Sequence, residues 1–395
     1  MKKIYIIGAL CLLATSMNAQ KRGSRIVVTP KAKGTETKVA TEVSIKSGWH
    51  SAKVTDPDGQ IVPCQLDDLN GDGSPDVVFF LGEAGKKHVI SLSKDEELEK
   101  YEPKVYAELM LTNKKIKEEN KQDLYISQLT VDKGTNPYWM LHHHGTAFEN
   151  ELVAYRIYFD HRQTIDIYGK YNKGLELRQT QFYPDAEQKA NGYGDDVLWV
   201  GQTLGLGTLR GWDGSKPLML EDVEHRSQRI VARGPLRTIV EVKDEGWTVT
   251  PGTPPLTMTT LYTLATGERH CTVDISFEGD ADNREFVTGM INVKNSTEHN
   301  DGKGLRACWG TDWPVSEKDS AGHKRETVGL GIYIPEKYIV KQMPADKNNY
   351  PIIVKPIANH IRYYITFCSA NESWGYKTAQ EWFESLNEWI MGLSE

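Results

Sequence analysis

Along most of this chain, apolar and polar residues alternate with a period of two. VATEVSIK, DVVFFLG, KHVISLS, DLYISQLTV, ELVAYRIYF, QTIDIYGK, RTIVEV, MTTLYTL, CTVDISF, EFVTGMINV and IRYYITF each carry the alternation or short apolar run of a strand. Turn clusters such as TDPDGQ, DLNGDGSPD, GWDGSKP and TPGTPP separate them. Helical spacing is rare. The clearest case is C-terminal, where Thr378 and Glu381 form a capping box ahead of Trp382, Phe383, Leu386, Trp389 and Ile390. The pattern predicts a mostly-β protein with one docked helix. In HCTVDISF, Cys271, Val273, Ile275 and Phe277 fall on the apolar parity, which predicts a buried thiol.

The charged, apolar-poor stretch 94–122 marks a boundary between a small N-terminal β-sandwich region, residues 20–98, and a larger unit, residues 99–395. A long hairpin within one domain is the other reading of that stretch. The N-terminus itself reads as a signal peptide over residues 1–19: Lys2 and Lys3 precede an apolar run at 4–14, and Ala19 offers a small residue before a cut. Export to the periplasm or the extracellular space is therefore expected. No later stretch is apolar for long enough to cross a bilayer as a helix. A net charge of −7, with no basic stripe, argues against a nucleic-acid partner. Cys64, Cys271, Cys308 and Cys368 lie beyond the leader at wide, irregular spacings, which favour free thiols over disulfides.

Polar residues of three kinds stand out. The loop DLNGDGSPD places Asp68, Asn70, Asp72 and Asp76 at the first, third, fifth and ninth positions of a calcium-type loop. Phe79 occupies the twelfth position, where the bidentate glutamate of an EF-hand would stand. A structural calcium ion and an Asx-rich hairpin loop are both compatible with that spacing. No organic cofactor is expected.

The second group lies in WMLHHHGTAFENELVAYRIYFD, residues 139–160. If 138–144 is extended, His142 and His144 share one face and His143 the other, so a triple-histidine metal centre is disfavoured. If the strand ENELVAYRIYFD continues unbroken, Glu149, Glu151 and Tyr155 share a face opposite Arg156. The next strand sets Asp166, Tyr168 and Lys170 against Ile165 and Ile167. His143, His144, Glu151, Tyr155, Arg156 and Tyr168 are the candidate catalytic set: a histidine base or acid, a tyrosine proton donor and an arginine to hold a carboxylate.

The third group comprises candidate substrate contacts. Lys170, Asp195 and Asp196, Trp199, Trp212, His225, Arg237 and His270 offer charges and ring faces suited to sugar hydroxyls and carboxylates.

Three stretches carry a family likeness: VPCQLDDLNGDGSPDVVFF, HHHGTAFENELVAYRIYFDHRQTIDIYGK and LELRQTQFYPDAEQKANGYGDDVLWVG. Together they resemble the secreted bacterial domain-of-unknown-function family numbered 4861, over most of the mature chain. That resemblance implies a galactose-mutarotase-like supersandwich of large antiparallel sheets. It also implies an oligo- or polysaccharide partner, because members accompany enzymes that degrade pectic and other uronate-containing glycans. The expected chemistry is a lyase or sugar epimerase reaction that begins with proton abstraction. A glycoside hydrolase and a non-catalytic glycan-binding protein are the alternatives. The oligomeric state is not legible.

Overall fold

A computed structural model describes residues 23–32, 34, 37–95, 100–112, 124–180, 182 and 184–393. The leader at 1–19, and much of the charged stretch 94–122, lie outside the described residues.

The N-terminal strands form two small antiparallel sheets. One joins Gly23–Val28, His88–Ser93, Ser51–Thr55 and Ile61–Val62; the other joins Lys38–Ser44, Val77–Glu83 and Cys64–Asp67. Val54, Ile90 and Leu92 from the first sheet meet Val43, Val78 and Phe80 from the second in one buried cluster. This is a sandwich core built from alternate residues of each strand. VVFF is an unbroken apolar run because its strand is covered on both faces: Phe79 points away from the sandwich core and packs on Leu236 and Ala265.

The larger unit is built on a nine-stranded antiparallel sheet. Its order runs from Thr297–Asn300 through Leu305–Asp312, Glu326–Tyr333, His360–Ser369, His270–Glu278, Leu256–Ala265, Arg237–Trp247 and His225–Arg233 to Gln128–Asp132. Two five-stranded sheets share its hydrophobic core. The first contributes Tyr155, Ile157, Ile165 and Ile167, and the second Phe286, Met290 and Ile352, against Val240, Val273, Ile275 and Ile365 of the large sheet. Stacked antiparallel sheets of this size match the expected supersandwich. Cys271, Val273, Ile275 and Phe277 are all buried, as their parity predicts. All four described cysteines are buried free thiols.

The C-terminal helix, Ala379–Gly392, starts at the predicted capping box: Thr378 accepts from the Glu381 backbone, and the Glu381 side chain accepts from the Thr378 backbone. Trp382 and Leu386 are buried against Leu305, Ala307 and Cys368, with Phe383, Trp389 and Ile390 around them. The aromatic stripe of this helix is packing.

Two local expectations fail. Residues 138–144 are not a strand but two successive single 3₁₀ turns, Tyr138–Met140 and His142–His144, with His143 and His144 in the left-handed region at φ 56° and 60°. And ENELVAYRIYFD is not one strand. Gly145–Asn150 and Ala154–Tyr158 are separated by a turn in which the Asn150 side chain accepts from the backbones of Leu152 and Val153. That Asn-closed turn resets the side-chain parity. Glu149 and Arg156 therefore share the outer face, whereas Tyr155 joins the core.

Candidate functional site

The outer face of the first five-stranded sheet carries the polar residues that the alternation leaves over. Its strands are Val105–Glu108, Gly145–Asn150, Ala154–Tyr158, Ile165–Gly169 and Asp195–Asp196. Register sets Glu108, Ala147, Arg156 and Asp166 in one cross-strand row, and Ala154, Tyr168 and Asp196 in the next. At the Arg156 end of this face opens a cavity of about 510 Å³. Its lining includes Trp139, His144, Arg156, Tyr158, Asp196 and Trp199, with Tyr138, Asp160 and Arg162 beside them.

Arg156 anchors the floor. Its guanidinium donates to Asp166 at 2.6 and 3.0 Å and to Asp196 at 2.8 Å, and lies 4.1 Å from the Phe182 ring centroid. Tyr158 donates its hydroxyl to the same Asp166 oxygen at 2.8 Å. Two carboxylates thus share one buried cation. Burial pushes the Asp196 carboxyl well above the usual carboxylate range, and the Asp166 charge pushes it further, against the opposing pull of Arg156. Asp166 is wholly buried, while Asp196 keeps 14% side-chain exposure, so Asp196 is the member of the pair that faces the cavity.

His144 stands on the wall. Its ring stacks on Tyr138 at 3.9 Å between centroids and 2° between planes. Nδ1 donates to the Tyr138 carbonyl at 3.1 Å, which places the proton on Nδ1 and the lone pair on Nε2. Burial, followed by the nearby Arg156, His143 and Arg162, holds its pKa down at about 4. The imidazole is therefore neutral at physiological pH. Arg162 is fixed by Asp160 at 2.6 and 2.8 Å, and its guanidinium lies 4.9 and 4.8 Å from the Tyr138 and Tyr158 centroids. Trp139, 78% exposed, and Trp199, 48% exposed, present ring surface that no core claims.

His144, Arg156, Asp196 and Trp199 are the candidates brought together in this cavity. The other candidates lie elsewhere, each for a local reason. His143 points into the protein and binds Glu108 at 2.5 Å. Glu151 accepts from Thr266 and the Gly267 backbone, closing the turn between two strands of the large sheet. Tyr155 is in the core, donating to the Arg269 carbonyl. Tyr168 and Lys170 do share the outer face with Asp166, but Tyr168 packs beneath Phe182. Lys170 is buried against Glu149 at 2.5 Å, and Glu149 in turn accepts from the Glu176 and Leu177 backbones.

Asp195 pairs with Lys189 at the surface. Trp212 packs beside Leu204, Val287 and Ile353. His225 meets Asp132 on an exposed strand pair, and His270 sits by Glu268 and Trp389 near the C-terminal helix. Arg237 is 1% exposed and bridges to Asp67 and Glu42 of the N-terminal sandwich, so it joins the two units rather than lining a cleft. In the Asp68–Asp76 loop, Asp68 accepts from the backbones of Gly71, Asp72 and Gly73, Asn70 from Asp72, Asp72 from Ser74, and Asp76 from Leu69. Those oxygens close the loop themselves. Among the described residues, no group of three or more His, Cys, Asp or Glu is gathered as a metal site.

Trp139, Tyr138, Tyr158, Asp160 and Arg162 escaped the sequence reading, although Tyr138 and Trp139 stand just ahead of the histidine run. Trp139 carried a usable signal: a large aromatic at the head of a polar stretch with no apolar period to bury it.

Comparison with known proteins adds little beyond the family. Among solved structures, a glycosyl hydrolase family 38 protein from Enterococcus faecalis is 11% identical at a TM-score of 0.44, over 94% of this chain and 46% of that one. An alpha-mannosidase from Enterococcus faecalis V583 is 11% identical at 0.45, over 94% and 45%. The chain spans under half the length of either. No curated protein matches it. The family model described as "Domain of unknown function (DUF4861)" matches residues 15–395, and the chain belongs to that family.

Proposed function

We propose that this protein is an exported carbohydrate-active enzyme that cleaves uronate-containing glycans by β-elimination at the His144–Asp196 cavity. One observation carries the reading: a tautomer-fixed histidine held neutral by burial and a carboxyl group whose pKa burial raises line the same cleft. Elimination needs such a pair, because a base must remove a proton from carbon while an acid protonates the leaving oxygen. His144 Nε2 takes the proton at the carbon bearing the uronate carboxyl. The C–H electrons form the new double bond, the glycosidic C–O bond breaks, and its oxygen takes the Asp196 proton. Arg156 then stabilises the resulting Asp196 carboxylate. Arg162, more exposed than Arg156, meets the substrate carboxylate and favours the charge that develops there. Trp139 and Trp199 offer faces for the neighbouring sugar rings.

Hydrolysis is less well supplied. It requires two carboxyl groups flanking the scissile bond, and here Asp166 is buried under Arg156 while Asp160 is held by Arg162. An epimerase would use the same His144 and Asp196 without bond cleavage.

The test is incubation with galacturonate- and glucuronate-containing oligosaccharides, following ultraviolet absorbance for unsaturated ends and reducing sugar for hydrolysis. Unsaturated product is expected, and His144→Ala should lower kcat by about 10²-fold or more. Reducing ends without unsaturation, or calorimetric binding with no turnover across the panel, would sink the lyase reading.

A further inference from the structure

The segment that carries His144 is strained. His143 and His144 are consecutive non-glycine residues in the left-handed region, followed by Gly145 at φ 157°. Such residues persist only where their surroundings over-determine them, and each costs on the order of 1–3 kcal/mol. Hydrogen bonds hold the turn on both sides: the His142 backbone donates to Met110, His144 to Leu141, and Phe159 to the His144 carbonyl. The deeper anchor is a side chain. The His143 ring is wholly buried, and its Nε2 binds Glu108 at 2.5 Å. Glu108 is itself buried and accepts from Tyr106 at 2.5 Å, whose hydroxyl also reaches Tyr125 at 3.2 Å. His143 Nδ1 is buried without a hydrogen-bond partner, a desolvation cost that packing alone does not call for.

We infer that Glu108 and His143 are positioning residues: their buried pair pins the left-handed turn, and so holds the His144 ring stacked on Tyr138, with its proton on Nδ1, at the wall of the cavity. The backbone transmits this over a single residue. The histidine run thus divides its labour, the middle ring inward as anchor and the last outward as base. The second half of that division rests on the proposed function, whereas the anchoring itself does not.

The experiment reads His144 directly. Long-range ¹H–¹⁵N spectra of the intact protein, assigned with His144→Gln, report the tautomer and titration of each imidazole. His144 is expected as the Nδ1–H tautomer. In Glu108→Gln, which keeps the shape but presents an amide to two donors, His144 should lose that tautomer preference and titrate closer to the ordinary histidine value. Any turnover should lose kcat by about 10-fold, with KM held within about 2-fold. Should Glu108→Gln fail to fold, His143→Asn serves, because asparagine tolerates the left-handed backbone yet removes the anchoring ring. A folded variant with His144 tautomer and titration unchanged would overturn the inference. Because the spectra need no substrate, an inactive protein with a displaced His144 overturns the proposed function alone.

Discussion

At the scale of single residues, the cavity is defined by two groups moved away from their ordinary protonation states. His144 must be neutral to act as a base, so activity should fall only as the pH drops through about 4, rather than through 6.5. Asp196 must keep its proton to act as an acid, so activity should fall again as the pH rises through its elevated value. A pH profile of kcat/KM on an acidic oligosaccharide checks both limbs. Linkage gives the signs for stability. His144, depressed in the folded state, contributes fully above its unfolded pKa of 6.5 and loses that contribution as the pH falls toward 4. Asp196, raised in the folded state, contributes below its unfolded value of 3.8 and loses that contribution as the pH rises through the elevated one. Asp196→Asn should therefore abolish turnover while leaving the melting temperature at neutral pH unchanged or higher. Trp139→Ala should raise KM several-fold with little change in melting temperature, because the ring is 78% exposed and meets the Tyr138 and His144 rings edge-on at the surface.

Elements position these residues more tightly than their strand periodicity implies. Gly145 opens the strand that follows the strained turn, and a Cβ there would stand 1.9 Å from the Ile157 carbonyl oxygen of the paired strand. Gly145→Ala should cost at least ~2 kcal/mol in denaturant unfolding and abolish activity, since the same pairing registers Arg156 against Ala147, in the row that the next strand continues to Asp166. The Asn150 turn has a comparable role, because a hairpin without it would send Arg156 into the core and Tyr155 outward. By contrast, Thr378→Ala at the helix cap should cost about 1 kcal/mol without effect on the cavity. The Asp68–Asp76 loop is closed by its own hydrogen bonds, so EDTA should leave the melting temperature within about 1 °C. A larger rise on adding calcium would show that a cation recruits those oxygens.

For the whole molecule, Arg237 ties the large sheet to the N-terminal strands, reaching Asp67 and Glu42 across the face of Phe79. Arg237→Ala leaves Asp67 buried and unpaired. It should cost about 3–5 kcal/mol and expose the sandwich to early proteolysis, with His144 still in place. The sequence alone determined the strand content, the capped helix, the buried Cys271 thiol and the family, because period-two alternation and capping boxes are local consequences of backbone geometry and burial. It also marked His144, Arg156, Asp196 and Trp199 as residues of interest. Tertiary structure decided which of the marked residues share a cavity. Arg156 and Arg237 look alike in sequence, each an arginine among apolar strand residues. One lines the cavity and the other pairs with the N-terminal strands, because the identity of the partner sheet is a long-range fact. The parity of Arg156 depended on a two-residue turn at Glu151–Leu152, and the direction of each histidine on a left-handed backbone that no alternation encodes. Those choices are made by packing and hydrogen bonds between segments distant in sequence, and only the fold contains them.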